Sequence, residues 1–359
     1  MRREKEAMAN TDDKPVMKIT MDDLAKVAVP DSQSASAATA GGQRQYGNIA
    51  EPAGSAAAVV EEKGSILLKG WFYLGAAGLV GALLGWGICE PWFLDSLEGS
   101  RWGNVFMMPF VIMLMCVGLG VAESLVERAL SKIWWRALLA LVLGFVLGFV
   151  FDFIAEMVFG IARGICYELG VRTNTNPAAW IARGVAWMVF GVAGGIVYGI
   201  VDRSGKKVRY GILGGIIGAG LGGTIFDPIA LVTHAGGPSR AAGFGLLGLA
   251  TGVAMGIVES ALKDRWLYVA SGPLAGKQFI LYKPLTTIGS SQQCDIYLFK
   301  DNSILPQHGS IEVRGAQTFL RASGQVYVSG QPVKSRALQS GDLVQIGRYA
   351  FHFRERSRS

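Results

Sequence analysis

Between Ile66 and Ala261 the chain carries six apolar runs, at residues 66–88, 105–126, 134–151, 181–201, 210–227 and 242–261. Each is near the length of about 20 residues that crosses a hydrocarbon core as a helix. In lipid the backbone can bond only to itself, so six such runs commit the chain to a polytopic α-helical membrane domain. Composition agrees, with 51% hydrophobic and only 17% charged residues. The chain has 49 glycines, most of them inside the apolar runs. There they let helices approach closely rather than serving as flexible linkers.

The runs repeat. A shift of 75 residues lays Gly148 on Gly223, Phe151-Asp152 on Phe226-Asp227 and Glu127 on Asp202, and a shift of 137 lays Gly78, Gly81 and Gly85 on Gly215, Gly218 and Gly222. Glu259 matches Glu127 and Asp202 at the inner ends of the even runs, and Arg240 matches Arg183. The membrane domain, residues 63–263, thus reads as three tandem two-helix hairpins with six Gly-rich spans, able to close as a pseudo-threefold bundle. Gly214, Gly218 and Gly222, and Gly248, Gly252 and Gly256, stand at four-residue intervals suited to close helix packing. Mitochondrial solute carriers also have three hairpins, but their repeated proline-acid-basic motif is absent, and no family is assigned to this part.

Basic residues crowd one set of loops: Lys63, Lys69, Arg128, Lys132, Arg136, Arg203, Lys206, Lys207, Arg209, Lys263 and Arg265. The opposite side has Arg101, Arg163, Arg172, Arg183 and Arg240. The positive-inside bias places both termini in the cytoplasm of a multi-pass inner-membrane protein. This topology accounts for the net charge of +7 without nucleic acid.

Residues 1–62 read as a disordered cytoplasmic tail, with one short helical island at Ile19–Val27 and two threonines, Thr11 and Thr20, followed by acids. Glu90, Asp152 and Asp227 recur at the outer ends of the odd spans, where they form either a structural rim paired with Arg183 and Arg240 or the mouth of a conducting path. The inner acids Glu127, Asp202 and Glu259 read as salt-bridged helix ends, and Glu123 as the candidate for real burial. Residues 153–169 read as a helix lying at the interface. Cys89 and Cys166 both fall on the outer side, where a disulfide is chemically allowed. No Cys/His spacing suggests a metal site, and no phosphate loop or nucleophile motif suggests a catalytic residue or cofactor.

From residue 264 to 359 the texture changes to short alternating runs, WLYV, FILY, CDIYLF, SIEV and VQIG, separated by Gly, Pro, Ser and Asp, which is the pattern of an all-β sandwich. Thr287-Ile288-Gly289, Cys294-Asp295-Ile296, His308 before SIEV, Val328-Ser329-Gly330 and Leu338-Gln339-Ser340-Gly341-Asp342 with Ile346-Gly347 follow in an order that resembles the forkhead-associated (FHA) domain. The resemblance implies a domain that reads phosphothreonine. The family's phosphate-binding arginine follows the glycine matching Gly289, where this chain has Ser290. Its phosphate-contacting serine precedes the histidine matching His308 by three residues, where this chain has Leu305. Its peptide-holding asparagine precedes the glycine matching Gly330, where this chain has Ser329. Gly289, His308 and Gly330 remain as scaffold. Two lost charged hydrogen bonds, at about 1.5–3 kcal/mol each, weaken phosphopeptide binding by about two to four powers of ten.

These halves together suggest a membrane-anchored scaffold or signalling adaptor. It would recruit a cytoplasmic protein, phosphorylated or not, through the FHA-like module. The alternative is a transporter or channel that the module regulates. A homo-oligomer stays open.

Overall fold

The computed structural model describes residues 62–94, 102–233 and 236–356. The tail features expected from the sequence, including Thr11, Thr20 and the helical island, lie outside the described residues.

Among the described residues six helices are long and apolar enough to cross a membrane: α1 (Gly70–Cys89), α2 (Trp102–Val126), α3 (Leu130–Glu168), α4 (Pro177–Val201), α5 (Gly205–Val232) and α6 (Gly237–Leu262). Their ends follow local chemistry. Asn176 caps α4 by accepting from the Ala178 N–H, with Pro177 in the first turn, where its missing N–H costs nothing. Ser204 caps α5 by accepting from the Lys207 N–H. Arg128 and Arg203, one repeat apart, both end inner helices with left-handed φ of 56° and 52°.

Two helices run past their expected ends. α3 continues without a break through residues 153–168, so this stretch is no separate interfacial helix. It contains no proline, and Gly160 and Gly164 face open space, so nothing interrupts the backbone ladder. α5 likewise passes through Asp227-Pro228 to Val232. In both, the carboxylate expected at the helix end stands inside the helix, which continues beyond it.

Consecutive helices are neighbours, and α6 returns to pack on α1, closing a six-helix ring. Within their most apolar stretches α2, α4 and α6 are 56, 67 and 50% buried, against 39, 17 and 39% for α1, α3 and α5. The second helix of each hairpin therefore lies inside and the first outside. Met115, Leu119, Tyr198 and Met255 from the inner trio pack together with Leu74. Small residues permit the spacing. A Cβ at Gly214 or Gly218 would stand 2.5 Å from the Cα of Met255 or Thr251, and one at Gly222 2.8 Å from that of Leu247. Gly248, Gly252 and Gly256 press on the α1 backbone at Gly78, Leu74 and Trp71. Without a hydrophobic force between helices in lipid, this close contact carries their association. Outward faces expose Val80, Leu84, Val142, Val146, Leu213, Ile217 and Ile257, while Trp92 and Trp102 at one end and Trp134 and Trp135 at the other are also exposed. Aromatic residues at both ends suit two membrane interfaces.

The strands of the module are β1 (Arg265–Ser271), β2 (Gln278–Ile280), β3 (Leu285–Gly289), β4 (Ile296–Tyr297), β5 (Gly309–Arg314), β6 (Gln317–Ala322), β7 (Val326–Val328), β8 (Gln331–Pro332), β9 (Ser335–Leu338), β10 (Leu343–Ile346) and β11 (Tyr349–Glu355). They form a sandwich of a six-stranded sheet, order β2-β1-β11-β10-β7-β8, and a five-stranded sheet, order β4-β3-β5-β6-β9. β1 (Arg265–Ser271) pairs antiparallel with β11 (Tyr349–Glu355), joining the module's two ends. Leu267, Val269, Phe351 and Phe353 of one sheet and Ile288, Ile311 and Leu320 of the other are fully buried in its core. Gly289 ends β3 (Leu285–Gly289), where a Cβ would stand 2.8 Å from the Pro306 carbonyl carbon, so only glycine lets the next loop close over it.

Candidate functional site

The module is seated on one end of the bundle, and the seat is built on the three repeat-related acids. Glu127 accepts from Lys277 Nζ at 2.6 Å, with the lysine 1% and the glutamate 4% exposed. Glu259 accepts from the hydroxyls of Tyr198 in α4, at 3.1 Å, and of Tyr282 in the module. Asp202 takes Lys207 and Arg136, both from the bundle. Lys207 also reaches Glu123 at 2.5 Å and lies over the Tyr198 and Tyr282 rings. It thereby ties all three hairpins to the module. At this end of the bundle the buried charges are Lys207, Lys277, Glu127, Asp202 and Glu259, while the Glu123 side chain keeps 22% of its exposure. Burial, then the Glu259 carboxylate beside it, pushes the Tyr282 hydroxyl well above its usual range, so it remains a donor.

Further clamps surround this centre. Glu62 N–H donates to Ala270 O at 2.9 Å, and Gly64 lies against Gly276. Lys206 pairs with Asp264 at 3.0 Å, and Arg356 donates to Ala261 O at 3.1 Å. On the other side, the loop between β3 and β4 (Ile296–Tyr297) is held to the α2–α3 turn. Ser131 N–H donates to Gln292 Oε1 at 2.9 Å and Lys132 Nζ to Cys294 O.

The module's loop positions are now placed. Ser290 Oγ donates to Ile304 O at 2.8 Å, and Leu305 is 45% exposed. His308 is a buried brace: Nδ1 accepts from the Leu305 N–H at 3.0 Å and Nε2 donates to Gln325 O at 3.0 Å. Gly324 lies directly against its ring. Ser329, with φ of 50°, sits with Gly330 in the turn between β7 (Val326–Val328) and β8 (Gln331–Pro332), where its hydroxyl donates to Asp342 at 3.3 Å. The structure thus brings Ser290, Leu305 and His308 together with Gly324 and Gln325, whereas Ser329 is tied to a different loop. Arg321 pairs with Glu312 and Arg336 with Asp342. Sequence reading missed Gly324 and Gln325; their signal was the short loop after β6 (Gln317–Ala322), which closes over the histidine.

At the far end of the bundle, Arg240 binds Glu90 at 2.6 Å and Arg183 binds Asp227 at 3.0 Å. Asp152 has no arginine partner among the described residues, because the repeat places Met108 where the other two have Arg183 and Arg240. Cys89 and Cys166 are both free thiols.

The module is thus a two-sheet sandwich whose loops gather round the buried His308. Its fold is that of the FHA domain. The family model described as "Inner membrane component of T3SS, cytoplasmic domain" matches residues 268–357. Among curated proteins, an oxoglutarate dehydrogenase inhibitor of Corynebacterium efficiens is 33% identical over 90 residues, covering 24% of this chain and 63% of that protein. The glycogen accumulation regulator GarA of Mycolicibacterium smegmatis is 34% identical over 90 residues, covering 24% and 56%. The chain therefore spans about six-tenths of the length of these relatives. Among solved structures, a phosphothreonine-dependent FHA domain is 21% identical with a TM-score of 0.25, covering 27% of this chain and 100% of that one. An FHA domain from Chlamydia trachomatis is 24% identical with a TM-score of 0.25, covering 26% and 100%.

Proposed function

We propose that the protein is a membrane-anchored scaffold or signalling adaptor whose FHA-type module recruits a protein partner at the cytoplasmic face of the inner membrane, independently of phosphothreonine. The observation that carries this reading is the state of the three loop positions. Ser290 spends its hydroxyl on Ile304 O, Leu305 offers an apolar surface, and Ser329 is held by Asp342. None of them supplies a cation for a phosphate. The buried seat fixes the module against the bundle, so a bound partner is held close to the bilayer rather than on a loose tether. Two of the three rim acids are neutralised by arginines and the inner trio is filled by side chains, which favours an anchor over a conducting path.

The test is affinity capture from native membranes with the full chain in detergent, in parallel with and without phosphatase. A partner that survives phosphatase supports the reading. Partners lost on dephosphorylation overturn its phosphate-independence, and the absence of any specific partner overturns recruitment itself.

A further inference from the structure

Beside Ser290 lies a cavity of about 460 Å³ whose walls include Ser290, Tyr297, Phe299, Lys300, Asn302 and Ile304. Three cations stand near it. Lys300 is exposed, held at a φ of 61°, and its amino group has no partner among the described residues. Arg348 donates to Lys300 O at 3.0 Å. The third comes from the bundle: Arg128, at the tip of the α2–α3 turn, is exposed and has no carboxylate partner among the described residues. Its guanidinium lies 5.9 Å from the centroid of Phe299, a wall of the cavity. The one acid in the wall, Asp301, is already engaged by Ser303 and by the Arg348 N–H at 2.8 Å.

This placement is held from both sides. The β3–β4 loop that carries Ser290 is bonded to Ser131 and Lys132, three and four residues after Arg128. The guanidinium thus stands beside an aromatic ring of the module. Resting on the recruitment reading above, we propose that the recruiting site is a composite of both domains: Arg128 of the membrane bundle and Lys300 of the module flank a cavity that takes an acidic peptide segment of the partner, its carboxylates pairing with the two cations.

The repeat supplies its own control. Arg203 occupies the equivalent turn with the same left-handed backbone and is exposed, but none of the described contacts joins it to the module. Asparagine tolerates that conformation, so Arg128→Asn and Arg203→Asn preserve both turns. The full chain is placed in phosphatidylcholine nanodiscs, and anisotropy is read with a labelled oligoglutamate peptide and a phosphothreonine peptide of matched length. The composite site requires saturable oligoglutamate binding, weakened about tenfold or more by Arg128→Asn and by Lys300→Ala but unchanged by Arg203→Asn.

Equal losses in Arg128→Asn and Arg203→Asn would reduce the effect to general charge attraction and overturn the site. So would an absence of saturable oligoglutamate binding, a response to the phosphothreonine peptide alone, or displacement of the peptide by phosphatidylglycerol added to the discs, which would make the ligand a lipid headgroup. A native partner still captured by Arg128→Asn would leave recruitment standing while removing this site from it.

Discussion

The two ends of the bundle start from the same repeat and finish differently. Each has three acids at equivalent positions. At the far end, Glu90 and Asp227 are answered by arginines of the bundle and Asp152 by none among the described residues. At the seated end, two of the three acids are answered by the module, through Lys277 and Tyr282, and the third by Lys207 and Arg136. A repeat dictates where carboxylates fall. What covers them decides whether they become a partly exposed rim or a buried joint.

The sharpest way to break this contrast is at Lys277. Lys277→Ala leaves Glu127 buried without a partner and should cost about 3–5 kcal/mol, read as a fall in the unfolding midpoint in detergent. Adding Glu127→Gln should recover much of it, and failure to recover would mean that the pair is not the joint described here.

Next come the packing rows. Gly214→Ala pushes a methyl into the Met255 backbone and should cost about 1–3 kcal/mol. Gly87→Ala, at a helix position facing open space, should be neutral or slightly stabilising. Equal effects would remove the case for glycine as a packing device.

At the far end, Arg183→Gln should cost about 1–2 kcal/mol, less than Lys277→Ala, because the pair is partly exposed. Asp152→Asn should stay within about 0.5 kcal/mol. A large loss at Asp152 together with silence at Arg183 would reverse the reading of this rim.

The smallest effect concerns pH. Burial raises the Asp295 pKa, but hydrogen bonds from Lys283 and Thr287 outweigh it and hold the carboxyl below its usual range. Its contribution is present above the unfolded carboxylate value of about 3.9 and is lost as pH falls through the lower folded value. Asp295→Asn should therefore flatten the acid limb of module unfolding below about pH 4 and leave the neutral region's pH slope unchanged.

Much of this was legible in the chain. Six runs, their repeat and the order of sandwich motifs are local patterns, and they led to the right layers. The ends of α3 and α5 were not, because an acid closing an apolar run looks like a helix end, whereas at Asp152 and Asp227 the backbone ladder continues. The joint was invisible for another reason. Glu127 and Lys277 lie 150 residues apart, and a lysine in a β-turn carries no mark of what it will meet. Lys207 could have been suspected from its place in the first turn of an apolar helix, where a cation opposes the helix dipole unless acids surround it.

The length of α3 sets one more condition. At 1.5 Å per residue its 39 residues extend about 58 Å, nearly twice a hydrocarbon core of about 30 Å. Its exposed side chains are largely apolar from Trp134 through Val146 to Ile154 and again from Met157 to Ile165, with the exposed Glu156 and the half-buried Asp152 and Arg163 set between and among them. Such a rod leans steeply, gathers a thicker patch of bilayer around itself, or carries its last turns past Asp152 and Glu156 into the interface, and the choice among these links the protein's posture to the thickness of the membrane that holds it.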